Sequence, residues 1–195
     1  DRTSRGLGDV YKRQSIDWSS PSTCNIEGSN NLDEIINQMT LRQKIGQIIM
    51  PDIQYVTPEE AKKYQLGSIL NGGGSWPNNK KTSTVQDWQN LSKAYYDASP
   101  VIGDQIVPII WGTDAVHGHS NVIGATVFPH NIGIGATQDT DLIKRIAGVV
   151  AKEVLSTGIV WTFAPTITVP QNDTWGRTYE GFSENQDLVS RIGKA

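Results

Sequence analysis

The sequence predicts an α/β protein built from parallel strands joined by helical crossovers. Two observations carry that expectation. Short apolar runs of strand length, at Ser68–Leu70, Ile106–Trp111 and Ile159–Ala164, alternate with stretches of helical period. The middle run, IVPIIW, is nearly continuous in apolar residues, as strands covered on both faces of a parallel sheet are. Alternation of this kind gives parallel neighbours with helices packed on the sheet. A (β/α)8 barrel and an open doubly wound sheet both satisfy it, and both bind ligands at the carboxyl ends of their strands.

The elements follow in order. NLDEIINQM places Leu32, Ile35, Ile36 and Met39 on one helical stripe. TLRQKIGQII begins with Thr40 as a cap and Gln43 as its capping-box partner, and Leu41, Ile45, Ile48 and Ile49 are its expected buried face. TPEEAKKYQLG has Thr57 as cap, Pro58 at the first helical position, Glu60 completing the box and Gly67 as the stop. The first strand ends in NGGG, Asn71 to Gly74. A helix from Thr84 to Asp97 buries Val85, Trp88, Leu91 and Tyr95, and Pro100 stops it. The second strand is blemished by Pro108, which cannot donate to a ladder. After a long polar loop, DTDLIKRIAGVVAKEVLSTG reads as a helix ended by Gly158. The third strand precedes NDTWGRTYE, and a last helix is expected with Ser183 and Gln186 as its capping box. In a barrel, Ile109, Trp111 and Phe163 would point inward.

Composition narrows the function. The chain has 195 residues, 37% apolar and 19% charged, an ordinary globular balance. A net charge of −3 without a basic stripe argues against nucleic acid. No apolar run approaches the roughly 20 residues that span a bilayer. One cysteine, Cys24, excludes an intrachain disulfide. The first 14 residues, DRTSRGLGDVYKRQ, carry four Arg/Lys and lack the apolar centre of a signal peptide. They resemble a translated sequencing adaptor, so the domain is read as residues 15–195 and 1–14 as a non-native leader. Sequons at Asn90 and Asn172 matter only in a eukaryotic secretory setting.

The polar residues converge by topology. NGGG follows the first strand, Asp114 and His117 the second, and Asp173, Arg177 and Glu180 the third. The segment Trp111–Gly133 also holds all three histidines, His117, His119 and His130. An H-x-H pair can ligate zinc, but Gly118 between the two and their place in a Gly/Asn-rich loop weaken that reading. Imidazoles beneath a loop commonly satisfy backbone groups, and His130 after Pro129 is expected to do so. NIGIGATQ lacks the third glycine and the preceding strand of a dinucleotide fingerprint, so its glycines are assigned to a loop. A sugar ring is held by carboxylates that accept two hydrogen bonds and by guanidinium groups that donate them. Asp114 and Arg177 suit those roles, or else they pair with each other structurally. Glu180 is read as the residue that orients Arg177.

At these residues the chain resembles the family 3 glycoside hydrolases. The stretches are MTLRQKIGQIIM, LGSILNGGGSWPN, PIIWGTDAVHGHSNVIGATVFPHNIGIGAT and GIVWTFAPTITVPQNDTWGRTYEGFSE, in family order over nearly all of residues 32–195. The resemblance implies the N-terminal, incomplete part of a (β/α)8 TIM barrel and retaining hydrolysis of terminal non-reducing β-D-glucosyl residues from β-glucosides or β-glucans. It implies Asp114 and Arg177 as substrate-binding residues, His117 and Glu180 as their support, no cofactor and no metal. It implies a periplasmic or extracellular location and no membrane or nucleic-acid partner. Thr174 departs from the family's usual arginine two residues before the glycine of Trp-Gly-Arg. The family's Lys-His pair, Asp nucleophile and Glu acid have no match within these residues, so no catalytic residue is assigned and the stretch alone is expected to be inactive. The alternatives are a non-catalytic sugar-binding barrel module and a metal-dependent hydrolase using His117 and His119.

Overall fold

The computed structural model describes residues 32–195, so the reading of residues 1–14 as a leader lies outside the described residues. Two short helices open the described chain, α1 (Leu32–Gln38) and α2 (Leu41–Gln47), followed by α3 (Pro58–Tyr64) and β1 (Ser68–Asn71). Then come α4 (Val85–Asp97), the hairpin strands β2 (Val101–Ile102) and β3 (Gln105–Ile106), and β4 (Ile110–Thr113). The rest is α5 (Asn131–Ala136), α6 (Thr140–Ser156), β5 (Trp161–Thr162) and α7 (Gln186–Gly193). The strands β1, β4 and β5 form one parallel sheet in that order, with Ile69 opposite Trp111 and Thr113 opposite Thr162. β4 is therefore central, and the connections β1–α4–β4 and β4–α6–β5 are helical crossovers.

The caps form as their chemistry requires. Thr40 and Thr57 make reciprocal capping boxes with Gln43 and Glu60, and Thr84 does the same with Asp87. Gly158 takes φ +82 after α6, where a Cβ would also meet the Ser92 side chain. The core lies between the sheet and α4. Trp88, fully buried, tilts against Trp111 with ring centroids 5.9 Å apart, and Tyr95 meets Trp111 edge-on at 5.6 Å. Trp111 Nε1 donates to Asn71 Oδ1 at 2.9 Å, and Tyr95 Oη to the Val56 carbonyl at 2.6 Å. The polar tips of Trp111 and Tyr95 are thus satisfied on burial.

Several expectations fail. Trp111 does not point into a barrel but back into the helical layer, while Phe163 is 36% exposed on the other side. The run Ile106–Trp111 is not one strand. The chain pairs Val101–Ile102 with Gln105–Ile106 across a turn with Gly103 at φ +59, and β4 starts only past Pro108. The β5 ladder is confined to Trp161–Thr162 within the longer run expected. Helix α3 ends on Gln65 in the left-handed region (φ 57), not on Gly67; Gly67 instead lets the backbone pass the side chain of Gln47. α7 is capped by Asn185 rather than Ser183. NIGIGATQ is not loop: its first six residues form α5. Finally, Leu41, Ile45, Ile48 and Ile49 are half to largely exposed (44–84%) among the described residues, whereas Gly46 is the buried position of α2, where a Cβ would collide with the Gln65 carbonyl oxygen.

One extended segment escaped the sequence reading. Leu70 N donates to Pro51 O and Ile53 N to Leu70 O, so residues 51–53 line the outer edge of β1. The interruption by Pro51 hid this stretch from a strand search.

Candidate functional site

The strand ends and the loops beyond them enclose a cleft of about 290 Å³, at the small end of ligand pockets. Gly73 after β1, Asp114 after β4, and Arg177 and Glu180 beyond β5 all line it, as do His117, His119, His130 and Tyr179. The three stretches that topology brings to one face do meet there. Asp173 is not among the lining residues.

Asp114 directly follows β4, whose parallel partners on both sides fix the strand end. Ala115 behind it is held at φ 41, a strained left-handed turn for a residue with a Cβ, and is buried in the core. The backbone thus swings away and leaves the Asp114 carboxylate facing the cleft. Among the described residues none donates a hydrogen bond to that carboxylate; Thr162 Oγ1 donates to its backbone carbonyl instead. Burial against the cleft walls raises the Asp114 pKa above the ordinary carboxylate value, the nearby Arg177 charge opposes this, and the charges of Glu180 and Asp52 add to it.

Arg177 makes its ion pair with Glu180, not with Asp114. Nε donates to Glu180 Oε1 at 2.8 Å and an Nη to Oε2 at 2.6 Å, a two-pronged fork. The hydrogen bond from Arg177 holds the Glu180 carboxyl below its usual range, and the same bond raises the arginine further. Two forked bonds orient the guanidinium plane while leaving donors on its other edge. The turn carrying Arg177 is set by Asn172, whose Oδ1 accepts from Thr174 N and Oγ1 and whose carbonyl accepts from Trp175 N and Thr178 Oγ1. Thr174 therefore has a local structural role.

The histidines divide. His117 Nδ1 lies 2.8 Å from the Phe128 carbonyl, which can only accept, so Nδ1 carries the proton; Phe128 N donates back to the His117 carbonyl at 2.8 Å. His119 is 1% exposed and its Nε2 lies 3.0 Å from Thr157 Oγ1 under the sheet, beside Trp88. The expectation for backbone-satisfying imidazoles thus holds for His117, but not for His130. His130 is exposed, and its ring stacks on His117 at 4.0 Å and meets Tyr179 edge-on at 4.5 Å. His117 and His119 look into different surroundings and do not form a pair. Among the described residues no group of three or more His, Cys, Asp or Glu is placed to hold a metal.

Sequence reasoning missed four supporting residues. Asp52 accepts from Gly72 N (2.9 Å) and from Ser75 Oγ, and so holds the NGGG turn. Asn121 Nδ2 donates to the Gly72 and Ser75 carbonyls, tying the loop after β4 to the same turn. Glu153, 7% exposed on α6, accepts from Thr126 N and Oγ1. Asn131 Nδ2 donates to the Glu180 carbonyl at 2.7 Å. Their bonds span 20 to 49 residues, and no local pattern marks them.

The model of the glycosyl hydrolase family 3 N-terminal domain matches residues 40–195. The chain belongs to glycosyl hydrolase family 3. The lysosomal β-glucosidase of Dictyostelium discoideum is 31% identical over 180 residues, covering 84% of this chain and 22% of that protein. The periplasmic β-glucosidase of Salmonella typhimurium is 29% identical over 83% of this chain and 19% of its own length. The crystal structure of an exo-1,3/1,4-β-glucanase from a Pseudoalteromonas species superposes with a TM-score of 0.77 at 50% identity, over 83% of this chain and 20% of that one. The chain thus spans about a fifth of the length of these family 3 relatives. Its fold is the α/β arrangement of the family's N-terminal barrel domain, with three parallel strands of the sheet present among the described residues.

Proposed function

We propose that this family 3 chain contributes the sugar-gripping side of a glycosidase site, acting on terminal non-reducing β-D-glucosyl residues of β-glucosides or β-glucans. One observation carries the reading: a carboxylate with no donor of its own, Asp114, and a guanidinium fixed by a fork to Glu180 line one small cleft at the carboxyl ends of parallel strands. A carboxylate accepts from two neighbouring ring hydroxyls, and the free edge of Arg177 donates to a third oxygen. Gly73, which also lines the cleft, leaves room there: a Cβ would meet nothing within 4 Å.

The bond-breaking groups lie elsewhere in the protein on this reading. Retaining hydrolysis uses two carboxyl groups about 5–5.5 Å apart, one as nucleophile and one as acid/base. Glu180 is committed to Arg177, and Asp114 serves the hydroxyls, so neither is free for those steps. Residues 40–195, which the family model matches, then belong to the N-terminal barrel domain, and both carboxyl groups come from other parts of the protein. The chemistry needs no metal and no cofactor. A periplasmic or extracellular setting is consistent with the name of the Salmonella relative.

The test uses the full-length protein of the gene with p-nitrophenyl β-D-glucoside and short β-glucans, following the anomeric proton by NMR. Hydrolysis with first-formed β-glucose, slowed about 10²-fold or more by Asp114→Ala, is expected. Sugar binding without turnover would favour the non-catalytic module, and turnover lost on chelation would favour a metal enzyme.

A further inference from the structure

We infer that His130 and Asn131 are positioning residues that set the Arg177–Glu180 pair against Asp114; the inference rests on the sugar-gripping role proposed for that cleft. Two consecutive residues at the start of α5 hold two consecutive residues of the facing turn. The His130 ring meets Tyr179 at 4.5 Å, and Asn131 Nδ2 donates to the Glu180 carbonyl at 2.7 Å. On its other face His130 stacks on His117 at 4.0 Å, and His117 is tied by its ring and its carbonyl to Phe128. An unbroken series of contacts therefore runs from the loop that begins at Asp114 to the turn that carries Arg177.

Neither side chain is explained by the needs of its own helix. His130 occupies the N-cap position of α5 but makes no capping hydrogen bond, where Ser, Thr, Asp or Asn would make one. Its ring packs on His117 and Tyr179 instead. Asn131 is 2% exposed, so its amide must find an acceptor, and the one it uses is the backbone of Glu180. The docking is close as well: a Cβ on Gly135 of α5 would collide with the Phe182 carbonyl oxygen. A helix pressed this tightly against the turn fixes its position, and the Asn131 bond fixes its register along the chain.

The test compares wild-type full-length protein with Asn131→Asp and His130→Ala, each also on an Arg177→Ala background. Asn131→Asp keeps the shape and suits a helix N-terminus, but sets an acceptor against the Glu180 carbonyl. The inhibition constant for glucose should rise about tenfold, as loss of a buried hydrogen bond implies. It should not rise further when Arg177 is already alanine, because the residues act through that side chain. Full additivity on that background overturns the inference. Hydrogen exchange supplies a readout independent of activity. Amides of residues 175–183 should exchange faster in the Asn131 variant, while β1 keeps its protection. Unchanged exchange in 175–183 overturns the inference even if wild type neither binds nor hydrolyses a glucoside, a result that by itself sinks only the proposed function. If Asn131→Asp does not fold, His130→Ala carries the same measurements, since that ring is exposed.

Discussion

His119 should make the protein acid-labile in a defined window. The imidazole is 1% exposed, and its Nε2 lies 3.0 Å from Thr157 Oγ1. The Thr157 hydroxyl donates its own proton to the Val154 carbonyl at 2.6 Å, so it can only accept from the ring. Nε2 therefore carries the hydrogen, and Nδ1 must take the second proton if the ring is charged. Burial pushes the His119 pKa down from 6.5 to about 4. A group whose folded pKa lies below its unfolded value contributes its full stability above the unfolded pKa. That contribution is lost as pH falls, here from about 6.5 towards 4. At 1.36 kcal/mol for each pKa unit, the loss across the window is about 3 kcal/mol. The assay is thermal or urea unfolding of the full-length protein at intervals from pH 7 to 4, beside His119→Gln, which keeps a donor for Thr157 and does not titrate. The wild type should lose more stability than the variant between pH 6.5 and 4, and the difference should level off at lower pH. Parallel pH profiles for the two proteins would show that His119 does not control the transition.

Other outcomes are equally specific. Asp114→Ala should lower kcat/KM for an aryl β-glucoside by about 10²-fold or more, since each hydrogen bond to a charged group is worth roughly 1.5–3 kcal/mol; near-normal turnover would remove Asp114 from the site. Because the Asp114 carboxyl is raised by burial while Glu180 is lowered by Arg177, falling pH should protonate Asp114 first. Glucose inhibition should then weaken on the acid side at a pH above the ordinary carboxylate range, and the Asp114→Asn variant should lack that limb. Gly135→Ala forces a Cβ onto the Phe182 carbonyl oxygen and should cost about 1–3 kcal/mol. Gly148→Ala, on α6 with nothing within 4 Å, should stabilise by about 0.5–1 kcal/mol, read as a higher Tm. Residues 15–195 expressed alone should associate with rising concentration, because Ile110, Val160, Trp161 and Phe163 are exposed beside the sheet (36–64%), and on the proposed reading should hydrolyse nothing, because neither Asp114 nor Glu180 is free to act as nucleophile or acid; a monomer with a cooperative urea transition, or turnover of a β-glucoside, would refute this.

The sequence by itself determined what is local. Capping boxes at Thr40 and Thr57 and the apolar face of α4 follow from spacings of three and four residues, which a single turn of helix enforces. The placement of NGGG, Asp114 and Arg177 on one face follows from parallel connectivity, which puts every strand's carboxyl end on the same side. What only the tertiary structure decided depends on partners far away in the chain. Gly46 and Gly135 are small because backbones pass there, and the contact at Gly135 sets α5 against the turn that ends at Phe182. The three histidines look alike in sequence, yet one clasps its own loop, one lies buried beneath the sheet and one bridges two loops. Their different roles come from Phe128, Thr157 and Tyr179, and the 38-residue reach from His119 to Thr157 leaves no periodic trace. Local pattern fixes an element where its own turn supplies the energy; a side chain's role is fixed by whichever distant surface the closed fold brings against it.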